Sequence, residues 1–391
     1  MRERGNKFLR KIDKYIGIPL IFLLGILRIR RKLKAAEKSK DDPNIVLIKT
    51  AGIGDTILLS AIAAELKNRY HRARITLICA HGNSSIADLI PGIDRKIVFD
   101  ITQPFHSLMN VRRSGVYDFL FDFGPWPKLN SFISHTAKAS FKIGFRRRKA
   151  CRHFIYDAVI GHSDEVHELD NYRNLLRCID IEPANLSPRL AGYENGHETR
   201  QNVFSPDKYN VVIHPFPAGV HKEFKKWPVP SWIRVAKRLS DRGCRILISG
   251  SIDDAAEAAY LESEIKKAGG DCLSVAGRCS LDRMAALLQK CDLLISVNTG
   301  IMHLAAAVGT NIVALHGPTS PKRWGPLAEN AVILAPQIPC APCLSLGFEY
   351  NCKSGGCMQN ISEEEVLSAA GRFLGQEYDI RTTENAATIV S

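Results

Sequence analysis

Short apolar runs closed by Gly-bearing turns alternate along this chain with longer stretches whose apolar residues fall at helical spacing. Asn44-Ile-Val-Leu-Ile-Lys49 predicts a strand, and Thr50-Ala-Gly-Ile-Gly-Asp-Thr56 is a turn leading into a helix from about Ile57 to Tyr70. Arg74-Ile-Thr-Leu-Ile-Cys79 predicts the next strand, which makes residues 44–79 a βαβ unit with a Gly-rich first turn. Tyr117–Phe123 reads as another strand, and a helix opens at His167 and runs through Cys178. Residues 183–208 are rich in Pro, Asn, Gly and Ser and are expected to be a linker. The same grammar then restarts. Strand signals appear at Tyr209–Pro217, Cys244–Ser251, Leu273–Gly277, Cys291–Val297 and Thr310–Thr319. Between them lie helical stretches at Val229–Arg242, Asp253–Gly269, Leu281–Lys290 and from Asn298-Thr-Gly300 onward. Two halves of alternating strands and helices predict an α/β protein of two Rossmann-like domains, over 44–185 and 205–375, with a cleft between them.

The length of 391 residues is enough for two such cores, and the 45% apolar content is that of a folded chain. Charge changes the picture at one place. Residues 1–40 carry 13 Lys/Arg against 3 Asp/Glu, so this arm supplies +10 of the net +13 and the body is close to neutral. A nucleic-acid surface on the body is therefore not indicated, and the basic arm is the part that seeks an anionic partner. Its apolar run, Tyr15–Leu27, spans 13 residues, short of the roughly 20 needed to cross a bilayer, and Pro19 and Gly25 interrupt it. Basic residues rather than a small-residue cleavage site follow it. The expectation is a membrane-surface segment on anionic headgroups, with a helix docked on the domain as the alternative.

Candidate chemistry gathers at the strand ends. Asn298-Thr-Gly300 opens a helix with a hydroxyl at Thr299, a Gly at 300 and His303 one turn on, a place suited to phosphate. Ser249-Gly250 and Gly317-Pro-Thr319 end neighbouring strands, and Lys225 and Lys226 beside Trp227 add positive charge for a pyrophosphate leaving group. Asp55 is either a carboxylate favoured by its helix N-terminus or a general base at the C-terminal edge of the sheet. The first turn is not GxGxxG, so a nicotinamide dinucleotide is not indicated. The run Arg146–Lys149 is a solvated face or a contact for an anionic acceptor. Of the 11 cysteines, Cys340, Cys343, Cys352 and Cys357 cluster as C-x₂-C-x₈-C-x₄-C. That spacing admits a structural zinc site, with free thiols or a redox-labile pair as the other readings.

The ordered motifs Ile48-Lys-Thr-Ala-Gly-Ile-Gly-Asp55, Lys225-Lys-Trp-Pro228, Asn298-Thr-Gly-Ile-Met-His-Leu-Ala-Ala-Ala307 and Gly317-Pro-Thr-Ser-Pro321 resemble those of the ADP-heptose:lipopolysaccharide heptosyltransferases, over about residues 44–375. The resemblance implies a GT-B fold and an inverting, metal-independent transfer from a nucleotide sugar, ADP-heptose first, to a lipid-linked saccharide. It also implies a peripheral location on the cytoplasmic face of a bacterial inner membrane. By the same resemblance Asp55 is the base, Lys225 stabilises donor phosphate charge, Thr299, Gly300 and His303 line the diphosphate, and Asp254 lies near the ribose. One position departs: the family usually has Asp before Thr-Gly, and this chain has Asn298. That departure admits the alternative of a nucleotide-sugar-binding protein with lost or retargeted transfer.

Overall fold

The computed structural model describes residues 15, 17–26, 41–126, 128–147, 151–193, 203–219, 221–344, 352 and 356–376. The chain divides into two compact units, Met1–Leu190 and Ala191–Ser391. The first contains α1 (Gly17–Ile26), β1 (Asn44–Ile48), α2 (Ile53–Arg69), β2 (Arg74–Ala80), β3 (Arg95–Phe99), β4 (Val116–Asp122), α3 (Lys128–Thr136), β5 (Lys138–Arg146), β6 (Ala158–Gly161) and α4 (Glu168–Leu176). Its six strands are parallel in the order β3-β2-β1-β4-β5-β6. The second contains β7 (Tyr209–His214), α5 (Val229–Ser240), β8 (Cys244–Ile248), α6 (Ala255–Lys267), β9 (Cys272–Ser274), α7 (Leu281–Lys290), β10 (Leu293–Val297), α8 (Gly300–Val308), β11 (Ile312–Leu315), β12 (Ala331–Leu334) and α9 (Glu363–Leu374). Its parallel sheet runs β12-β11-β10-β7-β8-β9, which is the same topology. Each is the doubly wound order of a Rossmann-like unit, and each has a switch point where the winding reverses: β1/β4 in the first, β7/β10 in the second.

The central strands are continuous apolar runs because helices cover both sheet faces. Ile45–Ile48 are fully buried, as are Val211–Ile213 and Leu293–Ile295. Of the strands the apolar pattern did not predict, β6 and β12 are only four residues long, and β3 and β5 carry charge. β5 places Lys142 inside the unit, where its ammonium donates to the carbonyls of Ser134, His135 and Ala137 and closes the C-terminus of α3. β3 is half-exposed and flanked by charge.

Two expected boundaries moved. α2 starts at Ile53 rather than near Ile57, because Gly52 at φ 84° turns the chain straight into it and puts Asp55 in its first turn. Residues 184–189, expected to be linker, lie along α2: Glu65 accepts from the backbone N–H of Ala184 and Leu186, and Ser60 Oγ from that of Arg189.

α1 takes up the apolar run of the arm. Ile21 is fully buried against Ile155 and Tyr156, and Phe22 meets Phe154 edge-on at 5.4 Å. Tyr15, Leu20, Phe22 and Leu23 remain exposed. Among the described residues no helix is long and apolar enough to cross a membrane.

Candidate active site

The first site lies at the β1/β4 switch point. Lys49 directly follows β1 and is 4% exposed. Its ammonium donates to Asp55 Oδ1 at 3.1 Å, to the Phe123 carbonyl just past β4 at 3.2 Å, and to the Tyr172 hydroxyl of α4 at 2.6 Å. That hydroxyl donates to the same Asp55 oxygen at 3.2 Å. The other oxygen, Oδ2, lies over Gly52, where a Cβ would come within 2.0 Å of it. Gly52 is thus required twice, by its φ and by the carboxylate above it. The turn is also tied by Thr50 Oγ1 to Asn130 and by Asn83 to the Lys49 carbonyl and Thr56. Through Asn130 the turn adjoins a buried cluster in which Asp122 accepts from Arg152, Tyr156, Asn130 and the Gly124 N–H. Of the basic run, Arg147 stacks on Trp126 at 3.4 Å and pairs with Asp164, while Arg148 and Lys149 lie outside the described residues.

The second site lies at the β7/β10 switch point. Thr299 occupies the N-cap position of α8 in extended conformation, but its side chain makes no capping bond. The capping expected from the sequence is therefore not made; Thr299 Oγ1 is buried without a hydrogen-bond partner. A buried hydroxyl left unmet at a helix N-terminus is costly in the empty protein and suited to a ligand oxygen. Before it, Asn298 Nδ2 donates to Thr319 Oγ1 at 2.8 Å and to His316 Nδ1 at 3.1 Å. His316 is pushed down to about 3 by burial, with a Thr319 backbone bond opposing the effect and the Lys225 ammonium adding to it. The ring is neutral, as an Nδ1 acceptor must be. Asn298, Thr299, Gly300, His303, His316 and Thr319 thus make one neutral polar patch, with Lys225 close enough to act on it electrostatically.

Lys225 donates to the Ala218 carbonyl at 3.0 Å, and Lys226 pairs with Glu223 and Glu257. Trp227 holds this loop in place: it is 2% exposed, stacks edge-on with Trp232 at 5.0 Å, and donates Nε1–H to the Ile361 carbonyl.

Other expected donor residues have work inside the fold. Ser249 Oγ donates to the Ile213 carbonyl and meets His214 Nδ1 at 2.9 Å, so its hydroxyl is committed to the sheet. His214 is itself pushed down to about 4 by burial against an opposing Asp254 charge. Asp254 Oδ2 accepts from the backbone and hydroxyl of Ser251, a capping box that occupies the carboxylate expected near a ribose. Gly250 is tight against Phe216, Ala276 and Asp254, and a Cβ at Gly317 would meet Met358 and Cys357, so both are packing glycines as well as loop glycines.

The zinc reading is not supported. Cys340 is exposed, Cys343 and Cys352 half-buried and Cys357 buried, and among the described residues no group of three or more His, Cys, Asp or Glu could hold a metal ion. Lys49, Tyr172 and His316 were not singled out from the sequence, and Thr319 was named only as the end of the Gly317-Pro-Thr loop. The one available signal was Lys49, a cation closing an otherwise apolar strand.

Two Rossmann-like units, one with a held carboxylate at its switch point and one with an anion-ready helix N-terminus at its own, define a nucleotide-sugar glycosyltransferase of the GT-B fold. The model of "Glycosyltransferase family 9 (heptosyltransferase)" matches residues 114–353, and the chain belongs to that family. The chain is 33% identical over 315 residues to lipooligosaccharide heptosyltransferase 2 of Haemophilus ducreyi, covering 74% of this chain and 88% of that one. The family 9 glycosyl transferase from Veillonella parvula has the same fold at a TM-score of 0.72 and 21% identity, covering 86% of this chain and 99% of the other. The E. coli ADP-heptose lps heptosyltransferase II follows at 0.68 and 22%, covering 85% and 98%.

Proposed function

We propose that this glycosyltransferase moves a heptose from ADP-heptose to a lipopolysaccharide core or related lipid-linked saccharide, with inversion at the anomeric carbon. The names of its relatives supply the sugar and the acceptor. The observation that carries the donor half is the unmet Thr299 hydroxyl at the N-terminus of α8. In this reading Asp55 takes the proton of the acceptor hydroxyl, and the acceptor oxygen attacks the anomeric carbon. The diphosphate leaves with the bonding electron pair toward Lys225, Thr299 and the α8 N-terminus. The charge on the leaving group is met by the lysine and the helix end, and the mechanism calls on no metal cofactor. The held carboxylate at Asp55 favours an active enzyme over a binding protein that has lost transfer, since binding alone has no use for a base.

The test is calorimetric titration of the purified protein with ADP, UDP and GDP. Preference for ADP is expected; preference for another base would move the donor, and binding of none would overturn the donor site.

The reading includes an anionic membrane surface at the cytoplasmic face of the inner membrane, where a lipid-linked acceptor would be met. It is supported by the basic arm and by exposed Leu20, Phe22 and Leu23 on a helix whose other side is docked. Cosedimentation with anionic lipid vesicles should be lost in a Leu20→Ser/Leu23→Ser variant; undiminished sedimentation would sink it.

A further inference from the structure

We propose that Lys49 and Tyr172 are positioning residues for the Asp55 base, holding its carboxylate ionised and in one orientation. The inference rests on the reading of Asp55 as base and deepens it.

An ammonium has three donors, and all three of Lys49 are spent, on Asp55 Oδ1, the Phe123 carbonyl and the Tyr172 hydroxyl. The Tyr172 hydroxyl accepts a hydrogen bond from Lys49 and donates one to Asp55 Oδ1, so the three side chains close a ring. The ring joins segments distant in sequence: the end of β1, the first turn of α2, the chain after β4, and α4. Tyr172 is itself fixed, completely buried and edge-on to Phe123 at 5.1 Å. A buried lysine is a poor choice for stability, because a well-packed apolar residue of similar volume usually serves as well or better. Its presence at the switch point is accounted for by the charge it faces.

The consequence for the reaction is specific. As the acceptor oxygen bonds to the anomeric carbon, its proton passes to the Asp55 carboxylate, which must be unprotonated beforehand. An opposite charge at 3.1 Å favours the ionised carboxylate over the protonated one. Titratable groups against Asp55 include Lys49 from β1 and Tyr172 from α4; Asp122 nearby is turned to Arg152 and Tyr156. Lys49 sets the charge state and Tyr172 the orientation, and the two roles separate experimentally.

The experiment is the pH profile of kcat/KM for Lys49→Met, Lys49→Arg, Tyr172→Phe and Asp55→Ala, with ADP-heptose and a heptose-free lipopolysaccharide core. Lys49→Met is expected to lose at least about tenfold in kcat with the donor KM unchanged, and to move the acid limb up in pH. Lys49→Arg restores the limb but not the full rate. Tyr172→Phe lowers kcat several-fold and leaves the limb in place. Should Lys49→Met fail to fold, Lys49→Gln gives the same readout. A Lys49 variant with a wild-type acid limb, beside an inactive Asp55→Ala, overturns the positioning role alone. An active Asp55→Ala overturns the base and this inference with it.

Discussion

After β1 the chain turns through Gly52 into a carboxylate whose Oδ1 is already held by a lysine and a tyrosine. After β10, the counterpart of β4 across the switch point of the second sheet, it turns through Asn298 into a hydroxyl with no partner and a histidine kept neutral. Both units have the same topology, and both turns sit where ligands bind in such sheets. The difference lies in what each turn leaves undone. The first is charged and organised in advance, as a group that must accept a proton in one orientation should be. The second is neutral and incompletely bonded, as a surface that waits for ligand oxygens should be.

The largest effect expected to separate the two turns is on chemistry. Asp55→Ala should lower turnover by roughly 10²–10⁴ while leaving ADP affinity near that of the parent, read by steady-state kinetics and calorimetry. A parallel loss of ADP affinity would erase the division of labour. Next comes pH. His214 and His316 are held near 4 and 3, below the ordinary value of 6.5, so the unfolded chain binds more protons below that value. Their contribution is present above about pH 6.5 and is lost as pH falls toward 4 and 3, at up to about 1.4 kcal/mol per histidine per pH unit. Denaturant unfolding at pH 7 and pH 5 measures it, and His316→Asn should flatten the dependence. The smallest effect sharpens the comparison most. Thr299→Val should weaken ADP binding about tenfold while leaving the melting temperature of the empty protein unchanged or raised, because it removes a buried hydroxyl that has no partner. A destabilised empty protein would mean that the hydroxyl has a structural role.

Much of this fold was legible in the sequence because parallel strands covered on both faces read as unbroken apolar runs. Ile45–Ile48 and Leu293–Ile295 are of that kind. β5 escaped because Lys142 sits in it, and only the folded chain shows that the ammonium closes α3. The Gly-Asp and Asn-Thr-Gly turns were legible as local patterns, but their partners were not. Tyr172 reaches Asp55 across 117 positions and His316 reaches Asn298 across 18, and short-range patterning carries no trace of either. Ser249 and Asp254 were legible as polar residues after a strand, but their work inside the fold was not: such a residue is as useful for satisfying the sheet or capping the next helix as for binding a ligand.

The measurement that bears most directly on the central claim is product analysis after incubating the full-length protein with ADP-heptose and a heptose-free lipopolysaccharide core. Release of ADP with a new glycoside of inverted anomeric configuration is the result this account predicts. A glycoside of retained configuration, or donor breakdown with no sugar transferred to the acceptor, would contradict it.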